Sequence, residues 1–280
     1  MKKMKRTIAV MLALIMVITA LTGCGGANTD ISVISREEGS GTRDAFVEIM
    51  GIKVDDKDNT TANAEISSST SVVITTVSGN ENAIGYVSMG SLNDTVKAIS
   101  VDGAKATVEN VKSGDYKVAR PFNIVTGKNV SDLAKDFISF IMSEDGQNII
   151  EEEGYIKIAD GAEKYNKSTG LSGRIVLAGS TSVAPVMDVL ADAYKDINPD
   201  VEIEIQQTGS GAGITSTIEG ACDIGMSSRD LKDEETAKGV SQTRIAMDGI
   251  AVIVNLENSV EDLTSEQIRQ IFTGELTTWE

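Results

Sequence analysis

Three turns in this sequence join glycine to small hydroxyl residues just where an apolar run gives way to a helical pattern: Gly39-Ser40-Gly41-Thr42, Gly179-Ser180-Thr181-Ser182 and Gly209-Ser210-Gly211. The first turn of a helix leaves several N–H donors unpaired and carries partial positive charge, so an oxyanion there gains hydrogen bonds and dipole attraction together. Glycine lets the backbone approach closely, and Ser and Thr add hydroxyls that rotate to suit an acceptor. Arg36, just upstream of the first turn, brings a fixed charge in a fork that matches phosphate or carboxylate. Taken singly, each turn is also an ordinary helix N-cap and the arginine an ordinary surface ion-pair partner. Together they read as a donor-rich cradle for an anion. None is followed by Gly-Lys-Ser/Thr, so the Walker pattern and ATP hydrolysis are not supported.

The 280 residues include no histidine, which excludes a Ser or Cys nucleophile paired with His and any His-bearing zinc site. The serine hydroxyls have no evident base to activate them and no metal-binding cluster stands out, so an extracytoplasmic phosphatase is disfavoured. The expectation is a binding protein with no catalytic residue, no cofactor and no metal. A formal charge of −17 argues against nucleic acid as a partner. It does not argue against a small anion. Screening at physiological salt acts over about 8 Å, so distant carboxylates are felt weakly by a ligand whose donors lie about 3 Å away in a closed cleft.

The chain begins with Lys2, Lys3, Lys5 and Arg6, followed by an apolar run from Ile8 to Leu21 that is short for a membrane span. Leu21-Thr22-Gly23-Cys24 looks like the lipobox of bacterial lipoproteins, which implies cleavage before Cys24 and a diacylglyceryl anchor on its thiol. An uncleaved anchor helix and an ordinary secretory leader are the other readings, and all three place the remainder outside the cytoplasm. With Cys24 lipidated, Cys222 has no disulfide partner, and its apolar setting in Gly220-Ala221-Cys222-Asp223-Ile224-Gly225 predicts a buried, inert thiol.

These turns must be positioned by the elements around them, and the mature chain alternates strand-like and helix-like patterns, the logic of an α/β fold. Ile31 to Ser35 reads as a strand before a helix through Phe46, Ile49 and Met50. Arg174 to Ala178 reads as a strand before a helix with Val186, Val189, Leu190 and Ala193 on one face and Pro185 in its first turn. Val201 to Ile205 alternates as a half-exposed strand, with a helix expected from Ile214. Asp223 to Met226 and the apolar run Gly249 to Asn255 are further strands. Leu133 to Glu153 carries apolar residues at helical spacing and reads as one or two packed helices. Residues 159–173 are a polar connection between two blocks.

The motifs Ser35-Arg36-Glu37-Glu38-Gly39-Ser40-Gly41-Thr42-Arg43-Asp44-Ala45-Phe46, Gly179-Ser180-Thr181-Ser182, Thr208-Gly209-Ser210-Gly211-Ala212-Gly213 and Asp223-Ile224-Gly225-Met226-Ser227-Ser228-Arg229 resemble the phosphate-binding lipoproteins of the bacterial phosphate ABC importer. The resemblance covers residues 30–280. It implies a two-lobed periplasmic-binding-protein fold of type 2, with inorganic phosphate held in the interlobe cleft and delivered to a membrane permease driven by an ATPase. It places Ser180, Thr181, Ser182 and Ser210 on the ligand from one lobe, and Arg36, Ser40, Gly41 and Thr42 from the other, with Glu38 orienting Arg36. Many members have an Asp where this chain has Ser228, and that Asp accepts the proton of hydrogen phosphate and so refuses sulfate. Asp248 is the expected substitute acceptor, a turn Asp of purely structural role being the other reading. Sulfate or molybdate as ligand, or a sensor or adhesion module on the same fold, stay open.

The order of the blocks departs from that family: the block starting at Arg174 comes first there, and the block starting at Ile31 follows residues 263–280. This chain therefore resembles a circular permutant, or a truncated piece of a tandem arrangement. The expected division is a signal peptide at 1–23, a tether at 24–30, lobe B at 30–117 plus 256–280 and lobe A at 118–255. Residues 159–173 join the permuted blocks, and crossings fall near Arg120-Pro121 and Asn255.

Overall fold

The computed structural model describes residues 30–159, 161–168 and 170–279, so the leader, Cys24 and the tether up to residue 29 lie outside the described residues. Eight strands form the main path of a mixed sheet: β1 (Ser32–Arg36), β2 (Glu65–Ser67), β3 (Ala83–Ser88), β4 (Ala119–Thr126), β5 (Gly173–Gly179), β6 (Val201–Gln207), β7 (Ile224–Ser227) and β8 (Ser241–Asn255). Their spatial order is β6-β5-β7-β4-β8-β3-β1-β2. The α/β reading therefore holds, and the two-lobed architecture with it.

Strand β8 changes partner along its length. Over its first part, β8 pairs antiparallel with β4, from Ser241↔Thr126 to Gly249↔Ala119. From Ile250 to Val254 it pairs antiparallel with β3 instead. Beside the exchange, the Ile250 N–H donates to the Val118 carbonyl at 2.7 Å. The side chains follow the pairing. Ile250, Val252 and Val254 pack with Phe46, Tyr86 and Phe272, whereas Ile245 and Ala246 pack with Phe137, Leu177, Leu190 and Ile224. This change of pairing partner at Gly249–Ile250 lies ahead of the crossing expected near Asn255. An apolar run buried on both faces hides a change of partner, because both lobes ask the same of it.

Helices α1 (Gly41–Ile49), α2 (Thr70–Ser78), α3 (Asp132–Met142), α4 (Glu144–Glu152), α5 (Ala184–Ile197), α6 (Ser210–Glu219) and α7 (Ser265–Thr273) cover the sheet. The Leu133–Glu153 run divides at Ser143, whose extended backbone ends α3 and whose Oγ accepts the Gly146 N–H to cap α4. Helix α6 starts at Ser210 rather than Ile214, so the glycine-rich turn forms the helix's own first turn. Pro185 does lie at the start of α5, but Met187 and Tyr194 share its buried face while Val189 faces outward, as Ile49 does on α1. Cys222 is buried, and burial pushes its thiol above the usual range.

The polar connection is docked on its lobe. Tyr165 and Ser168 donate from their hydroxyls to the Asp136 carboxylate, which also accepts the Tyr194 hydroxyl at 2.7 Å. Burial opposes ionisation of Asp136, yet these hydrogen bonds outweigh it and hold the carboxyl below its ordinary range. The Tyr165 ring stands edge-on to Phe140 at 5.2 Å. Among the described residues, no helix is long and apolar enough to cross a membrane.

Where β4 and β8 pass between lobes, Arg120 faces Asp248 across the ladder, Nη2 to Oδ2 at 3.1 Å, with side chains 1% and 0% exposed. Ser88 donates to the other carboxylate oxygen at 2.9 Å. Burial pushes Asp248 up to about 6 despite these partners. A carboxyl raised in the folded state contributes stability that is complete below its unfolded value, about 3.9, and is lost as pH rises through about 6. Asp248→Asn therefore flattens the fall in stability between about pH 4 and 6. At pH 7 it leaves a buried guanidinium unpaired and destabilises by about 3–5 kcal/mol. Denaturant unfolding across pH checks both, and Arg120→Met with Asp248→Leu recovers most of the pH 7 loss.

Candidate functional site

The three glycine-hydroxyl turns, far apart in sequence, meet at the seam between the lobes. Thr42 Oγ1, in the first turn of α1, lies 2.9 Å from Ser182 Oγ in the turn that follows β5. Ser210 Oγ, at the start of α6, lies 3.2 Å from Ser228 Oγ and accepts the Ser228 N–H at 3.1 Å. Gly41 joins the two groups: a Cβ there would stand 2.6 Å from Ser210 Oγ and 2.7 Å from Ser228 Oγ, so only glycine lets α1 come this close. Gly179 has the same reason to be glycine, with a φ of +143° and a Cβ position 2.2 Å from the Met226 carbonyl oxygen.

Arg36 ends β1 inside this seam and is 2% exposed. Its Nη2 donates to Thr181 Oγ1 of the opposite lobe at 3.1 Å. Glu37 grips Nε and Nη2 at 2.8 Å each, in fork-to-fork geometry. The Arg36 backbone is fixed as well, with its N–H donating to the Tyr86 hydroxyl at 3.2 Å and its carbonyl accepting from Arg43 at 2.7 Å. The expected partner was Glu38, but Glu38 is exposed, and the adjacent residue does the holding. Two consecutive glutamates after a strand point to opposite sides, and the sequence does not say which one turns inward.

Thr70 is the site residue that the sequence reading passed over. Its Oγ1 lies 3.2 Å from Thr181 Oγ1 and 3.1 Å from Ser182 Oγ, and it accepts from Arg36 Nη1 at 3.4 Å. The signal was present in Ser67-Ser68-Ser69-Thr70-Ser71 ahead of Val72, Val73 and Ile74, a hydroxyl-rich helix start without the glycine that marks the other three. Two of the expected ligands also hold backbone groups. Ser40 caps α1 by accepting the Arg43 N–H, and Ser180 Oγ accepts the Ser182 N–H at 3.3 Å.

Asp248 is not brought to this cluster. Arg120 and Ser88 occupy its carboxylate in the strand pair between the lobes, and no hydrogen bond among the described residues joins it to the hydroxyls. Nor, among the described residues, is there a cluster of Cys, Asp or Glu placed to hold a metal ion. What converges is one guanidinium, hydroxyls from both lobes, and the starts of α1, α2 and α6, whose dipoles favour negative charge. The chemistry available is recognition of a small oxyanion by many short, directional donors.

The PBP superfamily domain matches residues 17–145 and 166–280 of this chain. Phosphate-binding protein PstS 2 of Streptococcus agalactiae is 48% identical over 291 residues, covering 100% of this chain and 98% of that protein. The crystal structure of a phosphate ABC transporter phosphate-binding protein from Streptococcus pneumoniae TIGR4 is 48% identical, covers 89% of this chain and 98% of that one, and superposes with a TM-score of 0.70. Phosphate-binding protein PstS of Bacillus subtilis is 33% identical over 110 residues, 39% of this chain and 37% of that protein. A hydroxyl-lined seam with a buried arginine, on a chain matched nearly end to end by such relatives, places this protein in the PBP superfamily, among the PstS phosphate-binding proteins.

Proposed function

We propose that this chain captures inorganic phosphate between its lobes and delivers it to the permease of an ATP-driven phosphate importer. It acts as a binding protein and not as an enzyme. The observation that carries the reading is Arg36, buried at 2% exposure and aimed at hydroxyls of the opposite lobe. Charge-assisted hydrogen bonds contribute roughly 1.5–3 kcal/mol each, so a guanidinium and several neutral donors suffice for micromolar binding or better after ordering costs. In this reading Arg36, Thr42, Thr70, Thr181, Ser182, Ser210 and Ser228 face the anion. Ser40, Gly41 and Ser180 shape the turns that present them. A lipid on Cys24 would hold the receptor at the outer membrane surface beside its permease.

The permuted order of blocks fits the same reading. Relatives matched over their whole length share this chain's order, while the Bacillus subtilis protein aligns over only 39% of it, as expected where two halves stand in exchanged order. Lobe A is then 118–249 and lobe B the remainder of the described chain, with the connection around 159–173 spanning the family's usual termini.

A second reading, another tetrahedral oxyanion, is favoured by one observation. Ser228 stands where a carboxylate acceptor is expected, and a hydroxyl donates to sulfate or molybdate as readily as it accepts a proton from hydrogen phosphate. Competition titration separates them: phosphate must displace sulfate and molybdate when all are present at equal concentration.

Calorimetric titration of the leaderless chain is expected to show saturable uptake near one phosphate per chain. Arg36→Ala should weaken it by about 2–5 kcal/mol, the range for truncating a buried charged partner. Normal affinity in that variant would contradict the assignment. Because Glu37 holds the guanidinium and Glu38 is exposed, Glu37→Gln is expected to weaken binding by roughly tenfold and Glu38→Gln by less than about twofold.

A further inference from the structure

Helix α1 presents Thr42 to the seam, and two residues later Asp44 reaches across the cleft to Arg229, Oδ2 to Nε at 3.0 Å. Arg229 directly follows Ser228, so the pair ties together two anion-facing segments that belong to different lobes. The guanidinium is prepared for this contact. Glu235 holds its Nη1 and Nη2 at 2.8 and 2.7 Å, its side chain is 9% exposed, and its backbone carbonyl accepts from Asn123 at 2.9 Å. An arginine pinned by one carboxylate loses little further freedom on meeting a second. Beside it the lobes also touch through backbone, Gly211 N–H to the Gly39 carbonyl at 3.0 Å.

These contacts differ in kind from the others across the seam. The Thr42–Ser182, Thr70–Ser182 and Arg36–Thr181 bonds use the same atoms that a bound oxyanion would take. Asp44 and Arg229 use none of them, so their attraction persists with the anion in place and adds to it. We propose that Asp44 and Arg229 are positioning residues for capture: a cross-cleft ion pair that favours the closed arrangement of the lobes and slows release of the anion. The proposal rests on the phosphate reading above. A contact that exists only in the closed arrangement raises affinity by raising the population of that arrangement.

The test separates this role from simple charge. Asp44 is a negative group near an anion site, so Coulomb repulsion alone makes Asp44→Asn bind phosphate more tightly, and a cross-cleft pair makes it bind more weakly. Stopped-flow and calorimetry with inorganic phosphate are expected to give Asp44→Asn roughly tenfold weaker binding, carried by faster release with little change in association. Asp44→Glu should restore most of the loss. Glu48→Gln removes the same charge from the exposed side of the same helix and should bind at least as tightly as the parent chain. Equal or tighter binding by Asp44→Asn, or equal weakening by Glu48→Gln, overturns the proposal. If the parent chain binds no phosphate, the phosphate reading falls, and the ion pair is judged separately by interlobe distances from spin labels on each lobe. Asp44→Asn must then shift them to longer values, and unchanged distances overturn it.

Discussion

A guanidinium kept almost wholly from water between two separately cored lobes is the constraint on which the rest of this molecule turns. Burying an unpaired charge is prohibitively unfavourable, so Arg36 must be held from several sides at once. Glu37 grips its fork, Tyr86 and Arg43 fix its backbone, and Thr70 and Thr181 meet its outer nitrogens. Four of those groups come from the lobe that carries Arg36, and one, Thr181, comes from the opposite lobe. The same arrangement that satisfies the arginine thus brings the hydroxyls of both lobes within reach of one small anion. Net acidity elsewhere on the surface does not disturb it, because the local donors act at contact distance and the remote carboxylates through salt and water.

The second constraint is mechanical. A clamp needs lobes that stay intact while they move, and among the described residues β8 exchanges β4 for β3 at Gly249–Ile250, beside Val118. Each lobe keeps its own aromatic core, Phe46 stacked on Tyr86 in one and Phe137 against Tyr194 in the other. Between them the Arg120–Asp248 pair lies on the connecting strands themselves. Its burial makes it a poor anion ligand and a strong specifier of strand pairing, since a shift in register would leave both charges unpaired.

Much of this was legible in the sequence, for identifiable reasons. Glycine beside hydroxyls at a helix start is a local signature, and the three marked turns do converge. What failed to show was whatever depends on the partner across space. Glu37 and Glu38 are chemically alike, and only the direction of the backbone after β1 decides which meets Arg36. Thr70 lacked a glycine flag, because the hydroxyl run Ser67-Ser68-Ser69-Thr70-Ser71 that starts its helix contains none. The apolar run through Asn255 suits either lobe, so its change of partner at Gly249–Ile250 left no trace in composition. Asp248 looked available for a ligand because its real partner, Arg120, lies 128 residues away in the chain.

The most direct test of the central claim is a crystal structure of the leaderless chain grown with phosphate. The account predicts a single tetrahedral anion between the lobes, within hydrogen-bond distance of the Arg36 guanidinium and of hydroxyls from Thr42, Thr70, Thr181 and Ser182. An anion bound elsewhere, or Arg36 turned outward into solvent while phosphate is bound, would contradict it.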